Sequence, residues 1–75
     1  MYHIIEFVEE LTVDLEISPK HWLERMLIHR GTHLQAQLKP YVVETKGGLV
    51  EVADLFFADG TTARGVPFGS FSFVD

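Results

Sequence analysis

The chain has 75 residues, which is enough for a single small domain over residues 1–75 and too few for two. Hydrophobic residues make up 47% of the sequence and aromatic residues 12%, so the composition excludes an intrinsically disordered chain. Cysteine is absent, which excludes disulfides, thiolate catalysis and cysteine-ligated zinc; because small secreted domains usually depend on disulfides, we expect a cytoplasmic protein.

The charges and the apolar segments limit the possible partners. No apolar segment approaches the ~18 residues that span a bilayer. The N-terminus, MYHIIEFVEE, lacks the basic region of a signal peptide. We therefore expect no membrane contact. The net charge of −5 argues against non-specific binding to nucleic acid, although residues 18–46 hold five basic residues and two acidic ones.

The first predicted element is a strand over residues 5–17. From Ile5 onward the odd positions are apolar except for Glu9, and the even positions are polar except for Val8. This period of two is typical of a strand with one buried face, and it explains more positions than a helix over residues 3–11. Since strands usually have about five or six residues, we expect a bend near Glu9–Glu10. We place this strand at an edge of the sheet.

The second predicted element is a helix over residues 18–31. Ser18 suits the N-cap, Pro19 suits the first helical position, and Gly31 suits the left-handed position after the last turn. Helical spacing then puts four apolar residues on one face. These residues are Trp22, Leu23, Met26 and Leu27. We expect this face to pack on a sheet and to bury Trp22.

Three more strands are predicted over residues 33–45, 49–57 and 61–74. Each segment alternates between apolar and polar positions, and the turn sequences KGG and Asp59-Gly60 separate the segments. The order β-α-β-β-β predicts an α+β domain, in which helix 18–31 packs on one face of an antiparallel meander sheet. A sheet that curls toward a small barrel is the alternative to an open one.

The turn sequences also predict which residues share a face. A two-residue turn at Lys46-Gly47 or Gly47-Gly48 places even residues of strand 33–45 beside odd residues of strand 49–57. Phe71 and Phe73 would leave this face unless a bulge near Gly69-Ser70 reverses them, and we expect that bulge. The predicted core face holds Leu34, Ala36, Leu38, Val42, Ala53, Leu55, Phe57, Val66 and Phe68.

The opposite face of the same two strands is also apolar. One helix covers only one face of a sheet, so this second face needs another cover, which is either a partner chain or the closure of a barrel. Ile28 joins this predicted interface because helical spacing places it away from the apolar face of the helix. The predicted interface residues are Tyr41, Val43, Val50, Val52, Phe56 and Ile28.

Patterns for catalysis and for metal binding are absent from the sequence. His29 and His33 are four residues apart, but the predicted helix ends between them and no carboxylate stands at ligand spacing. Glu9 and Glu10 are adjacent on a strand and point to opposite faces, and Asp54 is the single acidic residue of interest beside the core face. We therefore expect no enzyme activity, no metal and no cofactor.

Together these features predict a small protein-binding or adaptor module that self-associates as a homodimer. Large apolar side chains on a sheet face are the kind of surface that such contacts use. The alternative function is that of a nucleic-acid-binding regulator, in which the basic helix 18–31 contacts phosphates. Its contact residues would be Lys20, Arg25 and Arg30.

Overall fold

The computed structural model describes residues 1–17 and 22–75, and this part of the chain consists almost entirely of antiparallel strands. The strands are β1 (His3–Phe7), β2 (Leu11–Ile17), β3 (Trp22–Ile28), β4 (His33–Thr45), β5 (Gly48–Phe57), β6 (Thr61–Pro67) and β7 (Phe71–Phe73), with one 3-10 turn at Phe68–Ser70. They form a single sheet in the order β3-β2-β6-β5-β4-β1-β7, which curls into a half-barrel.

The predicted α+β class is wrong, because the described residues contain no α-helix and nothing packs on the sheet as a helix. The segment Trp22–Ile28 is a strand that pairs with β2 at every position, from Leu11 opposite Ile28 to Ile17 opposite Trp22. Helix propensities differ by less than about 1 kcal/mol per residue, so pairing with a neighbouring strand readily overrides them. The predicted N-cap Ser18 and the first helical residue Pro19 lie outside the described residues, and the structure describes the backbone of Trp22 but not its side chain.

The strand predicted over residues 5–17 is interrupted where a bend was expected. Residues 8–10 separate β1 from β2, and the alternation continues on both sides, so that Ile5, Phe7 and Val13 are all buried. The predicted edge position is wrong for both halves. β1 lies between β4 and β7, and β2 lies between β3 and β6.

The register predicted for the hairpin of residues 33–57 is confirmed. Even residues of β4 lie opposite odd residues of β5, as in the pair Leu38 and Leu55. The turn is held by the Thr45 hydroxyl, which donates to the carbonyl oxygen of Gly48 at 2.8 Å. The buried core on the concave face consists of Ile5, Phe7, Val13, Ile28, Ala36, Ala53, Leu55, Ala63, Val66 and Phe71.

A bulge is present in β6, but it lies earlier in the chain than predicted. Ala53 pairs with Val66 and Leu55 pairs with Ala63, so the two residues Arg64-Gly65 lie opposite the single residue Asp54. Gly65 has a φ of 63°, which is the left-handed region that favours glycine. Near Gly69-Ser70 the chain instead makes the 3-10 turn, which carries it from β6 to the far edge of the sheet.

The β3–β4 connection contacts the end of β1. The N–H of Gly31 donates to the Phe7 carbonyl oxygen at 2.7 Å, and the N–H of Phe7 donates to the Thr32 carbonyl oxygen at 2.9 Å. These bonds bring the end of β3 toward the core, where Ile28 is buried. The other end of β3 remains open, and a cavity lies on its concave side.

Candidate functional site

The concave face of the sheet carries an open cavity of about 400 Å3. It lies between the β2–β3 hairpin and the adjoining ends of β4 and β5. Small-molecule sites have volumes of about 300–1,000 Å3 and mostly apolar walls with a few polar groups. The cavity has this size and this type of wall. Its main apolar lining residues are Leu15, Met26, Ile28, Leu34 and Phe57.

Glu24 interrupts the apolar lining of the cavity. It lies opposite Leu15 and on the same side of β3 as Met26 and Ile28, where alternation requires an apolar residue. Within residues 1–17 and 22–75, no hydrogen bond or ion pair to the Glu24 side chain is present. An exposed carboxylate therefore faces the cavity without a partner among the described residues.

Asp59 is the second acidic residue in the cavity lining. Its Oδ1 accepts hydrogen bonds from the Thr61 hydroxyl at 2.7 Å and from the Thr61 backbone N–H at 2.9 Å. These bonds hold the pKa of Asp59 below its ordinary value, so the group is ionised at neutral pH. The charged residues that line the cavity in the described part of the chain are thus both negative.

β3 forms a free edge of the sheet, because among the described strands it pairs with β2 alone. On its convex side Leu23 is 71% exposed and Leu27 is also exposed, and neither glycine nor proline interrupts the strand. A long apolar edge strand is a place where another strand can add. The opposite edge is formed by β7, which has only three residues. We call the side of Trp22–Ile28 that faces away from β2 the β3 edge.

A network of charged and polar groups surrounds Asp54 on the convex face. Asp54 is only 6% exposed. Its Oδ1 accepts from the Tyr41 hydroxyl at 2.8 Å and from the Gly65 N–H at 2.9 Å, and its Oδ2 accepts from Arg64 Nη1 at 2.8 Å. Arg64 Nε also donates to Glu16 Oε2 at 3.0 Å. The network therefore connects β2, β4, β5 and β6.

Asp54 is ionised in this network and has a structural role. Burial opposes ionisation, but the N–H of Gly65, the Arg64 guanidinium and the Tyr41 hydroxyl together hold the pKa of Asp54 below its ordinary value. The hydrogen bond to Asp54, followed by burial, raises the pKa of Tyr41. A general acid or base needs a pKa near the working pH, whereas this carboxylate has several hydrogen-bond donors and a lowered pKa. The network holds the bulge in place.

The predicted interface residues do not form one exposed surface. Tyr41 and Val50 are exposed, Val43 and Phe56 are half-buried, and Val52 is 5% exposed beside Pro67. The cross-strand pairs of Tyr41 with Val52 and of Val43 with Val50 confirm that these residues share one face. Ile28 lies in the core at 3% exposure, so its predicted exposure on a helix is wrong.

The predicted nucleic-acid contacts are spread along an edge and a turn. Arg25 lies on the convex side of β3, with its Nε 3.5 Å from Asp14 Oδ1. Arg30 is exposed in the connection that follows β3. Lys20 lies outside the described residues. In the described part of the chain, no helix presents Arg25 or Arg30 to a phosphate backbone.

Three of the four histidines lie in the described part of the chain, each beside a carboxylate near the end of a strand. His29 Nδ1 is 3.1 Å from Glu10 Oε2, and His33 Nε2 is 3.8 Å from Glu6 Oε1. His3 Nδ1 is 3.6 Å from a carboxylate oxygen of Asp75. These contacts are separate, and the described residues contain no group of three or more potential metal ligands.

The sequence held a direct signal for the bulge at Gly65, which the prediction missed. A glycine within an alternating strand pattern is typical of a bulge, and Gly65 marks the bulge that Asp54 completes. Glu24 would have been recognised as an inward charge only if residues 22–28 had been assigned to a strand. The free edge depends on the strand order of the whole sheet, which no local pattern gives.

Comparisons with known proteins add no relative. No family model matches the chain, no curated protein matches it, and no solved structure matches it. In residues 1–17 and 22–75 there is no helix long and apolar enough to cross a membrane. A functional hypothesis therefore depends on the cavity, the β3 edge and the Asp54 network.

Proposed function

We propose that this protein is a non-enzymatic, cytoplasmic protein-binding module that self-associates by pairing the β3 edges of two copies. The observation that carries the proposal is a seven-residue strand that has one edge unpaired among the described strands and that also carries exposed leucines. Backbone N–H and C=O groups on a sheet edge can bond a second strand, and the adjacent side chains supply the specificity.

A two-fold axis is compatible with the residue pattern of the β3 edge. In an antiparallel pair, residues directly opposite each other point to the same face. With the axis at Arg25, Leu23 of one protomer lies opposite Leu27 of its partner, and this apolar pair forms twice. The two Arg25 side chains then meet at the axis, where Asp14 of each protomer, 3.5 Å from its own Arg25, offsets their repulsion.

Self-association through the Tyr41 face is less well supported than association through the β3 edge. Val52, at the centre of that face, is nearly inaccessible to a partner. The Tyr41 hydroxyl is already bonded to Asp54. The Tyr41 face therefore offers less apolar area to a second chain than alternation alone indicates.

Nucleic-acid binding is also disfavoured as a function. The net charge is −5, and Arg25 lies beside Asp14. Counterion release requires several cations that meet successive phosphates, and the described residues offer no such stripe. The absence of salt-sensitive binding to short DNA and RNA duplexes in a filter assay is the expected result.

The test of the proposal compares two exposed leucines. Leu23 is 71% exposed on β3 and Leu49 is 76% exposed at the start of β5. Light scattering should give the wild type a mass near twice the monomer. Leu23→Lys should give a folded monomer, because the lysine would replace the apolar contact with Leu27 of the partner subunit and would lie diagonal to the partner's Arg25, a like charge. Leu49→Lys should remain dimeric.

Two results would overturn the proposal. One is a wild-type protein that stays monomeric up to millimolar concentration. The other is a dimer that Leu49→Lys dissociates while Leu23→Lys leaves it intact, since this would place the contact at the β4–β5 turn. Circular dichroism of both variants shows whether each retains its strand content.

A further inference from the structure

We infer that the concave cavity is a binding site for an amphipathic cation, meaning a small molecule with an ammonium head group and an aliphatic or aromatic body. This site is independent of the pairing of β3 edges, because the cavity lies on the concave side of β3 and the exposed leucines lie on the convex side.

The size and lining of the cavity determine the body of the ligand. Its volume of about 400 Å3 can enclose a chain of eight or so carbon atoms, and its walls include Leu15, Met26, Leu34 and Phe57. Apolar area removed from water stabilises a complex by about 25 cal/mol per Å2, so an apolar body gains most from this enclosure. Met26 adds an adaptable side chain, which suits a wall that contacts varied ligands.

The charge of the lining determines the head group. Glu24 and Asp59 are both acidic, and none of the described residues that line the cavity is basic. Asp59 is already bonded to Thr61, whereas Glu24 has no bond to another described residue. An ammonium group beside Glu24 would form an ion pair with its carboxylate. A carboxylate or phosphate head group would be repelled by both acidic residues.

An inward charge on an edge strand has a competing explanation. Such charges hinder the addition of further strands, and Glu24 could serve only that purpose. That role requires no cavity, since any exposed inward position would suffice. The coincidence of the charge with an apolar cavity favours a ligand, and the two roles differ in a measurable way.

The experiment uses the two methionines of the intact chain. Protein labelled with methyl-13C methionine gives signals from Met26 in the cavity wall and from Met1, which is exposed and outside the lining. It is titrated with octylammonium and octanoate below their micelle concentrations and with octanol below its solubility limit. These probes share an eight-carbon chain and differ in the charge of the head group.

Octylammonium should shift the Met26 signal saturably and leave the Met1 signal unchanged. Octanoate should bind about tenfold more weakly, because attraction is replaced by repulsion, and octanol should fall between them. Raising the salt concentration should reduce the difference in affinity between octylammonium and octanoate. The inference is overturned if the Met26 signal does not move, or if octylammonium and octanoate bind equally well.

A matched pair of variants separates the two roles of Glu24. Glu24→Gln should weaken octylammonium binding by about two- to fivefold and strengthen octanoate binding, because it removes one partly solvated charge. Glu51→Gln, an exposed position on β5 opposite Val42 and outside the cavity lining, should change neither affinity. If Glu24→Gln keeps the same preference for octylammonium over octanoate, Glu24 serves only to hinder the addition of further strands, and the inference is contradicted.

Discussion

Two carboxylates of this protein occupy opposite situations. Asp54 lies at the centre of the sheet, where Tyr41, Arg64 and the Gly65 N–H saturate it. Glu24 lies on the edge strand, where no described residue bonds it and an open cavity faces it. A buried polar group that is fully paired stabilises one structure, whereas an accessible charge on an apolar wall remains available to a ligand. The first carboxylate is therefore structural and the second is a candidate for recognition.

The largest expected effect concerns the central region. Val52 is 5% exposed between Tyr41 and Pro67, so Val52→Glu would bury a second carboxylate near Asp54. We expect a loss of about 3 kcal/mol or more in the free energy of unfolding, which is a large part of the stability of a domain of this size. A denaturant titration measures the loss. A folded Val52→Glu protein with an unchanged midpoint would mean that the Tyr41 face is open to solvent.

The next effect concerns Asp54 itself. Asp54→Asn removes the charge that Arg64 and the Gly65 N–H contact, and it should cost about 2 kcal/mol of unfolding free energy. The control is Asp14→Asn, at an exposed carboxylate paired with Arg25, which should cost less than about 1 kcal/mol. Equal costs for the two substitutions would contradict the structural role of the Asp54 network.

The same network predicts a pH dependence with a defined sign. The pKa of Asp54 in the folded protein lies below its ordinary value of 3.8. The folded state therefore binds this proton more weakly than the unfolded state, and the stabilisation is present above a pH of about 4. It is lost as the pH falls through the lowered pKa. In urea titrations from pH 6 to pH 2, the difference in unfolding free energy between the wild type and Asp54→Asn should decrease. A difference that stays constant with pH would show that the stabilisation does not depend on the protonation of Asp54.

A smaller effect is expected for the hydroxyl of Tyr41. Tyr41→Phe removes one donor to Asp54 Oδ1 but leaves the donors from Arg64 and Gly65, so the cost should be about 1 kcal/mol. Tyr2→Phe is the control, since Tyr2 is exposed. Urea midpoints measured side by side decide the comparison. No difference between the two variants would show that the hydroxyl adds nothing to the network.

The central region was largely predictable from the sequence, and the edge was not. The turn sequences and the alternation of residues 33–57 determine that Leu38 meets Leu55, because both signals are local. The sequence WLERMLI fits a helix as well as a strand, and the choice depends on pairing with β2, which is a tertiary contact. The bond between Asp54 and the Gly65 N–H depends on a bulge that shifts the register by one residue, so simple alternation could not reveal it.

The measurement that tests the account most directly is amide hydrogen exchange of residues 22–28 at low and high protein concentration. In a free edge strand, alternate N–H groups bond β2 and the others face solvent. We predict that the solvent-facing set becomes protected as the concentration rises, because the partner's β3 then bonds it. If that set exchanges equally fast at every concentration while the set that bonds β2 stays protected, β3 is an edge that pairs with nothing, and the proposed self-association is wrong.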